Sequence, residues 1–211
     1  MLGGAKLILF DLDGTLIDSA NDIAFSANKI LGEIGQKSFT TEEIRPLIGL
    51  PASEIFRSAG LGDREDLESV VARFREHLGD TGGSPSIVYP GVHETLDELS
   101  RRNLTLNVVT NKPTLLANLI LERSELNQYF TYVQGAESIA PKPSPSGINR
   151  CMERANHSQS ETVMIGDSHV DVLAAKAAGC KSVGVAYHEE IRQSLVDSDP
   201  DLLVVNLKDI L

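Results

Sequence analysis

The strongest constraint on this chain is a set of short, almost wholly apolar runs that stop abruptly at polar residues. Residues 6–10, Lys6-Leu7-Ile8-Leu9-Phe10, end at Asp11, and residues 104–109, 162–165, 182–186 and 202–205 repeat the pattern. Such runs suit strands covered on both faces by helices, because a strand with one wet face would alternate apolar and polar side chains. Helical patterns lie between them. Residues 92–102 put Val92, Leu96 and Leu99 on one face, residues 114–122 follow Pro113 as a first-turn proline, and the alanine-rich stretch 170–178 stops at Gly179. Strand and helix in alternation predict an α/β fold with a doubly wound, mainly parallel sheet.

Residues 18–86 depart from this rhythm. They contain no buried strand pattern, only capped helix patterns, and are expected to form an all-helical insertion after the first strand. Thr40 and Glu43 have capping-box spacing. Asp63 is placed to cap the run 64–78, whose Leu67, Val70, Val71, Phe74 and Leu78 make one apolar stripe. Residues 79–86, rich in glycine, read as a loop or hinge. The predicted division is therefore a core of residues 1–17 and 87–211 and a helical unit of residues 18–86.

Charge narrows the partners. Of 211 residues, 30 are acidic and 19 basic, a net charge of −11, which disfavours a nucleic-acid groove. No apolar run has the length of a membrane span. The N-terminus lacks a signal-peptide pattern, and Cys151 and Cys180 have no metal or redox spacing. The expectation is a cytoplasmic protein, monomer or homodimer, that binds no nucleic acid and no membrane.

The chemistry is written at the ends of the predicted strands, where open α/β sheets bind ligands. Asp11 and Asp13 follow the first strand, Thr110 and Asn111 the second, and Asp167 and Asp171 the third, with Lys142 in a proline-rich loop between. Carboxylates brought into one crevice repel unless a cation intervenes, and Mg2+ prefers such hard oxygen ligands. A lysine, a threonine hydroxyl and loop amides would complete a site for a phosphoryl group, whose transfer depends mainly on positioning and charge neutralisation. Asp11 could attack phosphorus, and Asp13 could move the proton. Taken singly, Asp167, Asp171 and Thr110 would serve equally as helix caps, and Lys142 would pass for a surface residue.

Taken together, the residues resemble the haloacid dehalogenase superfamily, and within it the phosphoglycolate-phosphatase-like branch. The resemblance rests on Asp11-Leu12-Asp13-Gly14-Thr15-Leu16, Val109-Thr110-Asn111-Lys112-Pro113, Pro141-Lys142-Pro143 and Gly166-Asp167-Ser168-His169-Val170-Asp171, in that order over nearly the whole chain. It implies a Rossmann-like core with a helical cap of the C1 type inserted at residues 18–86. It also implies a Mg2+-dependent phosphatase that acts on a small phosphorylated metabolite through an aspartyl-phosphate. Asp11 would be nucleophile and metal ligand, Asp13 general acid/base and, through its carbonyl, metal ligand. Asp167 would bind the metal, and Asp171 would support it or orient Lys142. Leu12, Thr110 and Asn111 would hold the phosphoryl oxygens, and Lys142 would neutralise the aspartyl-phosphate. Arg45 and Arg57 are the candidates for reading the leaving group, since an arginine suits a small carboxylate or second phosphate; each would serve equally as a surface residue.

Phosphoglycolate is the first candidate substrate. The alternatives are a β-phosphoglucomutase-type sugar phosphomutase, a pyrophosphatase or nucleotide phosphatase, and a phosphate-binding regulatory module with a silenced site. His77, His93, His157 and His188 show no ligand spacing, and His169 reads as an exposed first-turn histidine. The acidic run at Asp197, Asp199 and Asp201 reads as a solvated loop.

Overall fold

A computed structural model describes residues 2–62, 66–81 and 87–211. In chain order the elements are β1 (Leu7–Phe10), β2 (Ile17–Asp18), α1 (Ala20–Glu33), α2 (Thr41–Ile44), α3 (Ala52–Phe56), α4 (Leu67–Thr81) and β3 (Ile87–Val88). They continue with α5 (Val92–Arg101), β4 (Thr105–Val109), α6 (Thr114–Arg123), β5 (Tyr132–Gln134), α7 (Ser146–Ala155) and β6 (Thr162–Gly166). The chain closes with α8 (His169–Ala178), β7 (Lys181–Val185), α9 (Glu189–Asp197) and β8 (Leu202–Val204).

The main sheet has six strands in the order β5-β4-β1-β6-β7-β8, and every neighbouring pair is parallel. β1 sits centrally with all four residues buried, which is why its sequence carries no polar position. From β1 the chain first builds outward through β4 and β5, then returns to β1's other side and builds outward through β6. This reversal is the topological switch point, and it opens a crevice beyond the carboxyl ends of β1, β4 and β6. Phe10 pairs with Val108 on one side and Ile165 on the other. The three strands therefore release their loops at nearly one level.

Two apolar clusters cover the sheet's faces. One gathers Ile8, Phe10, Val108 and Ile165 under α5 and α6, and the other gathers Leu7, Leu9, Val109 and Met164 under α7 and α8. The alternation of β1 residues between them is the strand's period of two. A third cluster lies in the helical insertion, where Ala27, Leu31, Ile44, Phe56, Val70 and Phe74 pack together, with Leu116 of α6 against its edge. The insertion leaves and rejoins the core through the antiparallel pair β2–β3, in which Ile17 faces Val88.

Several details depart from expectation. β2 and β3 flank the insertion as two-residue strands, too short to carry a pattern, and β5 is a three-residue edge strand with only Gln134 buried. Residues 79–81 are helical, completing α4, rather than part of a loop; residues 82–86 and the Asp63 cap lie outside the described residues. Pro113 stands at the N-cap of α6, with extended ψ, one residue before the first turn. Thr40 and Glu43 exchange both capping-box hydrogen bonds, and Gly179 adopts the left-handed C-cap conformation at φ 74°. His169 is half-buried in the first turn of α8, within 3.4 Å of Ser194. The acidic run is solvated as expected, with Asp197, Asp199 and Asp201 all exposed, though Asp197 ends α9 and Asp201 accepts from the Ser182 amide at 2.8 Å. Cys151 and Cys180 are buried free thiols. Among the described residues no helix is long and apolar enough to cross a membrane.

Candidate active site

Asp11 is the first residue beyond β1, and its N–H continues the ladder by donating to the Ile165 carbonyl at 2.9 Å. Its carboxylate is thereby held at the switch point, fully buried. Oδ1 accepts from the Leu12 amide at 2.7 Å and lies 2.9 Å from Lys142 Nζ. Oδ2 is buried without any hydrogen-bond partner, a costly state for a carboxylate oxygen that nothing else engages. Burial is the main reason that the Asp11 pKa is pushed up to about 7; Lys142 opposes the rise, and Asp171 and Asp13 add to it.

Asp167 follows β6 and Asp171 lies in the first turn of α8. With Asp11 they offer three buried carboxylates whose oxygens lie within 4.8 Å of one another. Burial, with Asp11 and then Asp171 nearby, holds the Asp167 carboxyl well above the ordinary range. Thr15 donates its hydroxyl to Asp167 Oδ1 at 2.6 Å. Gly14, at φ 84°, makes the turn that brings Thr15 there, and a side chain at Gly14 would overlap the Asp167 carboxylate. The donor set is all hard oxygen, it is negatively charged, and it includes an orphaned Asp11 oxygen, so it suits Mg2+. Asp171 is the most fully occupied of the three. Its Oδ1 lies 2.6 Å from Lys142 Nζ, and its Oδ2 accepts from the Ser168 amide and hydroxyl at 3.1 and 2.6 Å.

Lys142 is buried with its ammonium between Asp11, Asp171 and the Val109 carbonyl, the last at 2.9 Å. Burial alone would depress its pKa, but the two carboxylates outweigh it and hold the group above the ordinary lysine value. Asn111 braces the loop that carries Lys142. Its side chain accepts from the Lys142 amide at 2.7 Å and donates to the Lys142 carbonyl at 3.1 Å and the Gly49 carbonyl at 2.8 Å. Thr110 is buried beside it and lines the crevice, its hydroxyl accepting from the Lys112 amide at 3.2 Å.

Two participants carry no role in the sequence-level reading. Lys112, within the Thr110-Asn111-Lys112-Pro113 stretch, places its ammonium 2.9 Å from Asp13 Oδ1 with both groups buried. Thr15 anchors Asp167 as described. Both lie inside the quoted motifs, which was the available signal; their partners, 99 and 152 residues distant, were not legible.

The insertion comes down on this centre through the loop at Gly49. Gly49 adopts φ 81°, and a Cβ there would stand 3.1 Å from Ser168 Oγ and 3.4 Å from Asp11 Oδ2. Between the loop and the core lies a cavity of about 50 Å3. Asp13, Thr110, Asn111 and Lys112 line one side, and Leu47, Ile48, Leu50, Ile55, Phe74 and Leu78 line the other.

The two arginines singled out in the sequence do not line this cavity. Arg45, 14% exposed, donates to Asp18 Oδ1 at 3.1 Å and to His188 Nε2 at 2.8 Å, which ties the insertion to the start of α9. Arg57 pairs with Glu54 one turn away at 2.5 Å, with both side chains more than 40% exposed. Sequence position near the Gly49 loop suggested both, but helix rotation turned them elsewhere. Arg75 of α4 lines the cavity instead.

Comparison with known proteins agrees with this architecture. Residues 8–185 match the family model described as haloacid dehalogenase-like hydrolase. The chain is 37% identical to the phosphoglycolate phosphatase of Vibrio parahaemolyticus, over 98% of this chain and 94% of that protein. It is 33% identical to phosphoglycolate phosphatase 1 of Pseudomonas aeruginosa, over 98% of this chain and 78% of the relative. Among solved structures, a predicted phosphoglycolate phosphatase from Haemophilus somnus superposes with a TM-score of 0.88 at 28% identity, covering 100% of this chain and 98% of that one. A predicted phosphatase from Clostridium acetobutylicum superposes with a TM-score of 0.89 at 28% identity, covering 98% and 96%.

Proposed function

The chain belongs to the haloacid dehalogenase-like hydrolases, and we propose that it is a Mg2+-dependent phosphatase that cleaves a small phosphomonoester through an aspartyl-phosphate on Asp11. Phosphoglycolate is the first candidate, supported by the names of relatives 32–37% identical over nearly the full chain. In this reading residues 18–86 act as the cap over a core of residues 1–17 and 87–211. The observation that carries the mechanism is the state of Asp11: a buried carboxylate with Oδ1 held by Lys142 and the Leu12 amide and Oδ2 without a partner.

Asp11, Asp167, Asp171 and the Asp13 carbonyl would hold Mg2+, which when bound supplies positive charge against the phosphoryl oxygens and the carboxylates. The remaining work belongs to the protein. Asp11 attacks phosphorus, and the ester bond breaks with its electron pair moving to the leaving oxygen. Asp13, in its protonated form, gives that oxygen its proton. Lys112, 2.9 Å away, steadies the carboxylate that results. Asp13 then takes a proton from water as the water attacks phosphorus. The bond from Asp11 to phosphorus breaks, its electrons return to the carboxylate, and inorganic phosphate leaves. Lys142 orients Asp11 and balances its charge throughout, and the Thr110 hydroxyl with the Asn111 backbone amide holds the phosphoryl oxygens, the Leu12 amide being engaged by Asp11 Oδ1.

The test is phosphate release from a panel of small phosphomonoesters, with Mg2+ and with EDTA, in wild-type protein and Asp11→Asn. The expected result is Mg2+-dependent turnover that falls at least 1,000-fold in the variant, on the order seen when one member of a nucleophilic constellation is removed. Substantial turnover by Asp11→Asn would exclude the covalent route.

A further inference from the structure

We propose that Arg75 of α4 selects the substrate by pairing with a carboxylate on its leaving group; the inference rests on the phosphatase reading above and narrows its substrate class.

Three charged side chains line the cavity: Asp13, Lys112 and Arg75. Asp13 and Lys112 neutralise each other at 2.9 Å. Arg75 makes no hydrogen bond or ion pair with any described residue. Its neighbours in the insertion are committed elsewhere, Arg73 to Glu33, Arg57 to Glu54 and Arg45 to Asp18. The cavity thus carries one uncompensated positive charge, set beside an apolar wall that includes Phe74 and Leu78.

Helix geometry directs that charge toward the core. Residues four apart share a helix face, so Arg75 lies one turn above Gly79. A Cβ at Gly79 would meet Leu116 Cδ2 of α6 at 3.1 Å, which identifies this face of α4 as the one applied to the core. Leu116 itself lines the cavity. Arg75 therefore lines the same cavity as Thr110 and Lys112, beside which the phosphoryl group would lie.

The ligand chemistry follows from this wall. A guanidinium offers a planar fork that matches a carboxylate with two parallel hydrogen bonds. The apolar residues offer no partner to sugar hydroxyls, which would be buried unpaired at a cost. Arg75 shares this one cavity with Thr110, Asn111 and Lys112, so the carboxylate must lie close to the phosphoryl group. A short phosphorylated hydroxy acid fits these terms.

The experiment compares phosphoglycolate with 2-hydroxyethyl phosphate, which differs in having an alcohol where the acid is. Wild-type protein, Arg75→Ala and Arg75→Lys are assayed with Mg2+ for kcat and KM on each. The expected result is a wild-type preference for phosphoglycolate, with the ratio of the two kcat/KM values falling at least tenfold in Arg75→Ala. The loss should sit mainly in KM, and Arg75→Lys should recover part of the ratio. An unchanged ratio, or equal losses on both esters, overturns the Arg75 assignment and leaves the phosphatase reading standing. Wild-type protein that hydrolyses other phosphomonoesters of the panel but neither of these overturns the Arg75 assignment alone, and release from no phosphomonoester overturns both. Because Arg75 is exposed, unchanged thermal midpoints in the variants are expected to accompany these effects.

Discussion

Replacing Lys142 with methionine tests how much of this fold's stability is held by charge at the catalytic crevice. Methionine keeps most of the side-chain volume and removes the ammonium. In the native protein that ammonium lies 2.9 Å from Asp11 Oδ1 and 2.6 Å from Asp171 Oδ1, with every side chain in the trio no more than 2% exposed. The variant leaves Asp11 and Asp171 facing each other and Asp167 with no cation between them. Removing one partner of a buried pair costs about 3–5 kcal/mol, and two carboxylates lose their partner here, which favours the upper end. For a chain of this size that corresponds to a fall in Tm of roughly 6–20 °C, at about 2–4 °C per kcal/mol. The assay is calorimetric unfolding at pH 8 in EDTA, where Asp11 is ionised in the folded protein. Mg2+ should restore part of the loss by supplying another positive charge to the same carboxylates. Acidification to pH 5 should narrow the gap, because the carboxyls can then bind protons in place of the lysine. A variant within 1 kcal/mol of wild type at pH 8 in EDTA would refute the idea that this ion cluster is mutually dependent.

Two further outcomes are expected. The Asp11 pKa is raised from 3.8 to about 7 in the folded protein, chiefly by burial, so folded protein keeps a proton that the unfolded chain has released between those values. Metal-free stability should therefore decline as pH rises from about 5 to 7. The decline should flatten in Asp11→Asn, and Mg2+ should stabilise wild type more at pH 8 than at pH 5. Urea midpoints measure this, and a metal-free curve that rises across the window would contradict it. Arg45→Met should loosen the closure of residues 18–86 by removing the contacts to Asp18 and His188. The expected loss is about 1 kcal/mol, roughly fivefold in kcat/KM, and equal for phosphoglycolate and 2-hydroxyethyl phosphate. A selective loss on the acid would return Arg45 to the role of substrate reader.

His188 belongs to the same clasp. Burial first, and then the Arg45 guanidinium, lower its pKa, while Asp18 opposes the change. A neutral Nε2 can accept from Arg45 at 2.8 Å, with the Tyr89 hydroxyl 3.2 Å from the same nitrogen. Tyr89 stacks on Tyr187, whose hydroxyl donates to the Thr15 carbonyl. A continuous contact path therefore runs from Arg45 to the turn that anchors Asp167.

The sequence by itself determined the parallel core, because a strand covered on both faces is mainly apolar, and β1 is wholly so while β4, β6 and β7 are apolar at most positions. It also determined which residues leave the strand ends, since Asp11, Thr110 and Asp167 directly follow apolar runs. The Thr40–Glu43 capping box and the Gly179 stop were legible for the same reason: each is decided by interactions within four or five residues. The short strands β2, β3 and β5 left no such mark, because two or three residues do not establish a period. The burial of Lys142 between Asp11 and Asp171 was decided only when loops 29 and 131 residues apart in sequence met at the switch point. The same holds for Lys112 against Asp13 and Thr15 against Asp167. Which arginine of the insertion faces the crevice was likewise a tertiary outcome. Arg45, Arg57 and Arg75 all sit on amphipathic or capped segments of similar composition, and the packing of α4 on α6 through Gly79 and Leu116 left Arg75, though exposed, at the cavity's edge. Local sequence fixes what a side chain can do chemically, and the rotation of the helix that carries it decides what it meets.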